Sequence, residues 1–113
     1  MVRYLKEEFN NISRELFFKA MQADGVFTFK GWSPLYKEPL FSINPKEYPW
    51  LEGRNYGDLF HSGTEIIAEE QAVWLRQNHL LGSSDDLKDV VDAFEKVSNA
   101  LKKNPKKFDE IKL

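Results

Sequence analysis

The chain reads as an α+β domain, a small, mainly antiparallel sheet packed by two helices, and three observations predict it. Apolar residues recur at three- and four-residue spacing from Ile12 to Ala23 and again from Leu87 to Leu101, the period of a helix with one buried face. Two short runs, residues 26–30 and 72–75, are rich in the β-branched and aromatic residues that fit a pleated sheet. Between them, residues 31–63 show neither period and are dense in proline and aromatic side chains.

The elements follow in order. Residues 2–5 are short and half apolar, readable as a strand, and Asn10-Asn11 offers side-chain oxygens to cap a following helix. That helix is predicted over 12–24, with Ile12, Leu16, Phe17, Ala20 and Met21 toward the core and Arg14, Glu15, Lys19 and Gln22 on the other side. Gly25 stands where the pattern stops and can take the left-handed conformation that closes a helix. Val26-Phe27-Thr28-Phe29-Lys30 is then a strand.

The stretch 31–63 holds four of the five prolines together with Trp32, Tyr36, Phe41, Tyr48, Trp50, Tyr56 and Phe60. A connection longer than about 15 residues without regular structure is commonly a lid or a segment that docks on something else. The plainer alternative is a loop that packs its own aromatics over the core. Residues 64–70 can form a short helix with Thr64 as cap and Glu65 in its first turn, and Ala72-Val73-Trp74-Leu75 a buried strand. Ser83 or Ser84 can cap a last helix over 84–102, whose face is marked by Leu87, Val90, Val91, Phe94, Val97 and Leu101. Pro105 ends it, so residues 1–104 are expected to be one domain and 105–113 a loosely held tail.

Composition narrows the function. A length of 113 residues suits a single core, and 42% hydrophobic residues place the chain among folding proteins. Sixteen basic against eighteen acidic residues leave a charge of −2, so no field draws in nucleic acid or an anionic membrane. No apolar run is long enough to span a bilayer. Without cysteine there is no disulfide and no thiolate metal site, and His61 and His79 have no ligand spacing between them; a cytoplasmic protein without metal is expected.

Several pieces in sequence resemble one family. Asn11-Ile12-Ser13-Arg14-Glu15-Leu16-Phe17 with Ala20-Met21-Gln22-Ala23-Asp24-Gly25-Val26 is similar to the entry to the C-terminal domain of DegT/DnrJ/StrS aminotransferases. Ser33-Pro34-Leu35-Tyr36-Lys37-Glu38-Pro39-Leu40-Phe41 resembles the "P-L-Y-x-x-P-L-F" loop of the subgroup that aminates cyclitol and related sugar ketones. Glu69-Glu70-Gln71-Ala72-Val73-Trp74-Leu75, Leu80-Leu81-Gly82 and Asp85-Asp86-Leu87-Lys88-Asp89-Val90-Val91-Asp92-Ala93 resemble the family's closing segment. Arg76 stands where the family often has proline, and Phe60-His61-Ser62-Gly63-Thr64 where Cys-Pro-Val or similar is common.

The resemblance implies a fold-type I aminotransferase, with pyridoxal phosphate on a lysine of a separate large domain, glutamate or glutamine as usual amino donor, and a homodimer with active sites at the subunit boundary. No segment here matches the lysine motif, the acidic partner of the pyridinium nitrogen or the phosphate cup. The chain alone is therefore expected to carry no catalytic residue, to bind no cofactor and to be inactive; its partners would be the large domain and a keto-sugar or cyclitol substrate.

Four residues are candidates for substrate contact. Tyr36 and Lys37 lie in the loop that approaches the active site in the family, against the alternative of a surface turn with a packed tyrosine and a solvated lysine. Trp32 either walls a sugar-binding cleft or fills the core, the commoner place for it. Arg76 follows a strand end, where its planar fork could bind a carboxylate or phosphate, or form an ion pair with Glu69 or Glu70. The rival from another class is a stand-alone interaction module whose docking surface is the aromatic loop 31–63.

Overall fold

A computed structural model describes residues 1–44, 46–51 and 54–109. Pro45 of the aromatic loop and residues 110–113 of the expected tail lie outside the described residues. The architecture is α+β, as the sequence predicts. Three strands, β1 (Val2–Arg3), β2 (Thr28–Phe29) and β3 (Ala72–Leu75), form an antiparallel sheet in the order β1-β3-β2. Val2 faces Val73 and Arg3 faces Ala72 on one side of β3, while Thr28 faces Leu75 and Phe29 faces Trp74 on the other. The last strand in sequence is thus the central one.

The first two strands are shorter than the sequence suggests because the residues flanking them have other work. The Tyr4 amide still donates to Gln71 O at 2.8 Å, but its ring turns inward, stacks on Phe9 at 4.7 Å and donates its hydroxyl to Ile12 O at 2.9 Å. Val26 leaves the ladder to close the helix end, its amide bonded to Met21 O at 2.9 Å, and is buried.

Helix α1 (Arg14–Ala23) starts two residues later than expected and is capped by Ser13, whose side chain accepts from the Leu16 amide at 3.3 Å. Asn10 and Asn11 do not cap it. Both take left-handed backbone angles, φ 54° and 58°, at the close of a 3-10 turn over Lys6–Phe9. Asn10 Nδ2 instead donates to Leu101 O and Lys102 O at 3.3 and 3.2 Å, satisfying carbonyls that the end of another helix leaves open. Gly25, at φ 93°, closes α1 in the region open to glycine.

Helix α2 (Ser62–Ile66) begins at Ser62 rather than after Thr64, with His61 in the cap position and no side-chain cap bond. It widens into a π turn over Ile67–Gln71 that runs directly into β3. Helix α3 (Ser84–Lys103) opens on a reciprocal capping box: Ser83 Oγ accepts from the Asp86 amide at 3.2 Å and Asp86 Oδ2 accepts from the Ser83 amide at 2.7 Å. The Ser83 hydroxyl also donates to Asp86 Oδ2 at 2.7 Å, and this bond together with the one from the Ser83 amide holds the Asp86 carboxyl below its usual range. A short helix, α4 (Pro105–Asp109), follows, and Phe108 packs against the core.

One cluster joins the layers. Tyr4, Val26 and Val73 meet Ile12, Leu16, Phe17 and Met21 from the α1 side and Ala93, Val97 and Leu101 from α3. Met21 and Leu101 are fully enclosed, each worth roughly 1.5–3 kcal/mol of apolar burial. The expected face of α3 is correct in its second half, but Leu87 and Val91 remain exposed, because the body ends before the first turns of the helix do.

Candidate functional site

The segment between β2 and α2 is an arm. Among its described residues the regular structure is limited to single 3-10 turns, at Leu35–Lys37, Pro39–Phe41, Pro49–Leu51 and Tyr56–Asp58, the first three beginning at or just after a proline that fixes φ and donates no amide hydrogen. Its large side chains do not fold back over the core. Trp32 is 79% exposed, Leu40 87%, Trp50 70% and Phe60 71%. With a radius of gyration of 18.5 Å and extents of 55 × 35 × 22 Å, against about 13 Å for a compact domain of this size, the molecule is strongly elongated. The expectation of Trp32 as core is therefore corrected: it stands in water beside an open hollow of about 430 Å³ lined also by Leu35, Glu38, Leu40 and Phe41.

Gly31 sets the direction in which the arm leaves the sheet. Its φ of 81° is left-handed, and a Cβ there would overlap the indole of Trp74 on β3. Only glycine lets the backbone cross that ring so closely.

At the root of the arm the turn Leu35–Lys37 faces α2, and here a polar cluster forms. The Tyr36 hydroxyl donates to Glu65 Oε1 at 3.2 Å, and the Lys37 ammonium is hydrogen bonded and ion paired to Glu65 Oε2. The His61 ring meets Tyr36 edge-on at 5.3 Å between centroids and 73° between planes. The Glu65 side chain is only 14% exposed.

The electrostatics of this cluster favour fixed charge states. The hydrogen bond from Lys37 lowers the Glu65 carboxyl below its ordinary range, and the same bond raises the Lys37 ammonium. Burial raises the Tyr36 hydroxyl, and the carboxylate of Glu65 adds to that against a lowering contact with the His61 backbone. At neutral pH the three are a neutral phenol, a cation and an anion. Fixed charge states of this kind suit orienting a polar group better than moving a proton.

Of the sequence candidates, Tyr36 and Lys37 come together and Trp32 stands on the same turn-bearing segment. Arg76 does not join them. Its guanidinium lies over the Phe27 ring at 4.3 Å, and the expected ion pair with Glu69 or Glu70 does not form; Glu70 pairs with Lys6 at 3.4 Å instead. Glu65 was outside the candidates, since a carboxylate that pairs with a lysine 28 residues away gives no local signal.

Arg14 is the larger departure. Sequence periodicity puts it on the solvent side, yet it is 4% exposed. Nη1 donates to Ala68 O and Ala72 O, both at 3.1 Å, and Nη2 donates to Glu69 O at 2.6 Å. The guanidinium thereby closes the carbonyl end of the π turn and fixes how α2 passes into β3.

The bond to Glu65 favours the charged form of the Lys37 amine, whereas a Schiff base forms from the neutral one. Among the described residues no group of three or more His, Asp or Glu could hold a metal ion, and no helix is long and apolar enough to cross a membrane.

The chain is similar to a Micromonospora echinospora protein provisionally named L-glutamine:3-amino-2,3-dideoxy-scyllo-inosose aminotransferase, 31% identical over 116 aligned positions. The match covers 92% of this chain but 27% of the relative, so the chain spans about a quarter of that protein's length. No family profile matches the chain, and no solved structure matches it significantly.

Proposed function

We propose that this chain is the C-terminal small domain of a pyridoxal-phosphate-dependent aminotransferase of the DegT/DnrJ/StrS class, acting on a keto-sugar or cyclitol ketone. The observation that carries the reading is the match over nearly all of this chain to about a quarter of a protein named as an aminotransferase. The arm supports it. Its apolar side chains are held out from a body that already has a closed core, as expected of a surface made for a second, larger body. In this reading that body is the large domain, which carries the lysine and the cofactor, within a cytoplasmic homodimer, and the chain alone is inactive.

The cofactor, bound on the large domain, supplies the carbanion-stabilising chemistry. The residues of residues 1–104 supply recognition and cover. The exposed face of Trp32 gives a flat apolar wall for the C–H face of a ring, as aromatic side chains do in polyol sites. The Lys37 ammonium keeps further N–H donors for ring hydroxyls, and the Tyr36 hydroxyl, whose hydrogen goes to Glu65, offers an acceptor. Arg76, stacked on Phe27, serves a substrate anion only if the docked large domain brings one to the end of β3. Docking of the arm excludes water from the space between the two bodies.

The test is the reading frame upstream of the Met1 codon in the source DNA. The expected result is an open frame that continues for several hundred codons and encodes a lysine-bearing loop and a phosphate cup. A stop codon directly ahead of Met1 would overturn the proposal and leave the arm as the docking surface of a stand-alone module.

A further inference from the structure

We infer that Glu65 is a positioning residue: it clasps the root of the arm to α2 and sets where the Tyr36 hydroxyl and the Lys37 ammonium point. One carboxylate divides its two oxygens between these donors, Oε1 to the phenol and Oε2 to the ammonium. Both donors are turned toward the charged carboxylate, and the carboxylate itself sits on a helix that Arg14 anchors through the π turn behind it. His61, at the cap position of the same helix, walls the ring of Tyr36 from the side.

The clasp has a structural reason to exist. Past Lys37 the backbone bonds of the described residues are local, each linking residues a few positions apart, such as Phe41 N to Glu38 O at 2.9 Å and Tyr48 N to Asn44 O at 3.0 Å. Two contacts at the root bear on the direction of the arm, the Gly31 crossing over Trp74 and the Glu65 clasp. A carboxylate is suited to this because bonds from an ammonium and a phenol to an anion are stronger than neutral ones. What Tyr36 and Lys37 do once positioned rests on the proposed function; the clasp rests on the geometry alone.

Trypsin reads the clasp directly on this chain. It cuts after Lys and Arg, so the arm offers Lys37, held by Glu65, and Lys46 and Arg54, which lie beyond the clasp. Cleavage of a segment in fast exchange with an open form follows the population of that form. In the parent chain, cleavage after Lys46 and Arg54 is expected to precede cleavage after Lys37. Glu65→Gln, which keeps the shape and removes the charge, is expected to speed cleavage after Lys37 by about tenfold and to leave the other two sites within about twofold. Glu65→Asp restores part of the protection. Far-ultraviolet circular dichroism shows that each variant is folded. Equal rates after Lys37 in the parent and Glu65→Gln chains would overturn the inference, as would equal acceleration at all three sites. Neither outcome bears on the upstream reading frame, so the two proposals fail separately.

Discussion

Replacing Arg14 with methionine keeps an unbranched side chain against Phe18, over which the guanidinium lies at 5.4 Å, and removes every donor to the π turn. Three carbonyls lose a charged partner. A hydrogen bond to a charged group contributes about 1.5–3 kcal/mol net, but a simple sum overstates the loss. One group makes all three bonds and must be desolvated to do so. The bonds to Ala68 and Glu69 are also only partly buried, so water can recover them; the one to Ala72 is buried and cannot be recovered. The expected loss is about 3 kcal/mol, a large part of the roughly 5–15 kcal/mol that a domain of this kind carries. Arg14→Lys should fall between, because an ammonium is a compact charge that does not span three acceptors. Urea unfolding followed by far-ultraviolet circular dichroism measures it. With a slope of about 1–2 kcal/mol/M the midpoint falls by roughly 2 M for the methionine variant. A fall of less than about 0.5 M at unchanged slope would refute the reasoning, and would mean that the desolvation of the guanidinium cancels its bonds.

Gly31→Ala places a Cβ both in a left-handed backbone and inside the Trp74 indole, and should cost about 2–4 kcal/mol with a shift in tryptophan emission; an unchanged spectrum and melting temperature would show that the crossing is not close. The Tyr4 hydroxyl is pushed up to about 12 from 10.0, first by burial and then by the charge of Glu15. Its folded-state value is raised, so the stability it contributes is complete below pH 10 and is lost as pH rises through 12, by about 3 kcal/mol in all. Urea midpoints from pH 8 to 12 should therefore fall more steeply for the parent than for Tyr4→Phe; parallel curves would exclude Tyr4 as the titrating group.

The strands, the main helices and the aromatic arm were legible because they rest on local pattern. Ala72-Val73-Trp74-Leu75 has the composition of a strand and nothing around it competes. Ser83 followed by Asp86 is a capping signal complete within four residues. Arg14 was misplaced although the period contained the answer: it lies three residues before Phe17 and seven before Met21, which is the buried face. A rule that sends charges to water overrides that spacing unless acceptors are known, and the acceptors, Ala68, Glu69 and Ala72, lie more than fifty positions away. The sequence marks Tyr36 and Lys37 as candidates but not Glu65, the carboxylate that both of them bond, since Glu65 meets them only through the tertiary fold. The same averaging sends Trp32 to the core because it counts apolar area, whereas the structure leaves the ring exposed.

The strand order carries a consequence for how this chain changes over evolutionary time. The arm is an excursion between two strands that end up hydrogen-bonded neighbours, Phe29 facing Trp74. Closing such an excursion costs entropy that grows only with the logarithm of its length, about 0.6 kcal/mol for each doubling. Insertions and deletions beyond Lys37 thus leave the sheet nearly as stable as before, provided Gly31 and the Glu65 contact stay in place. One body can carry arms of many lengths without being rebuilt.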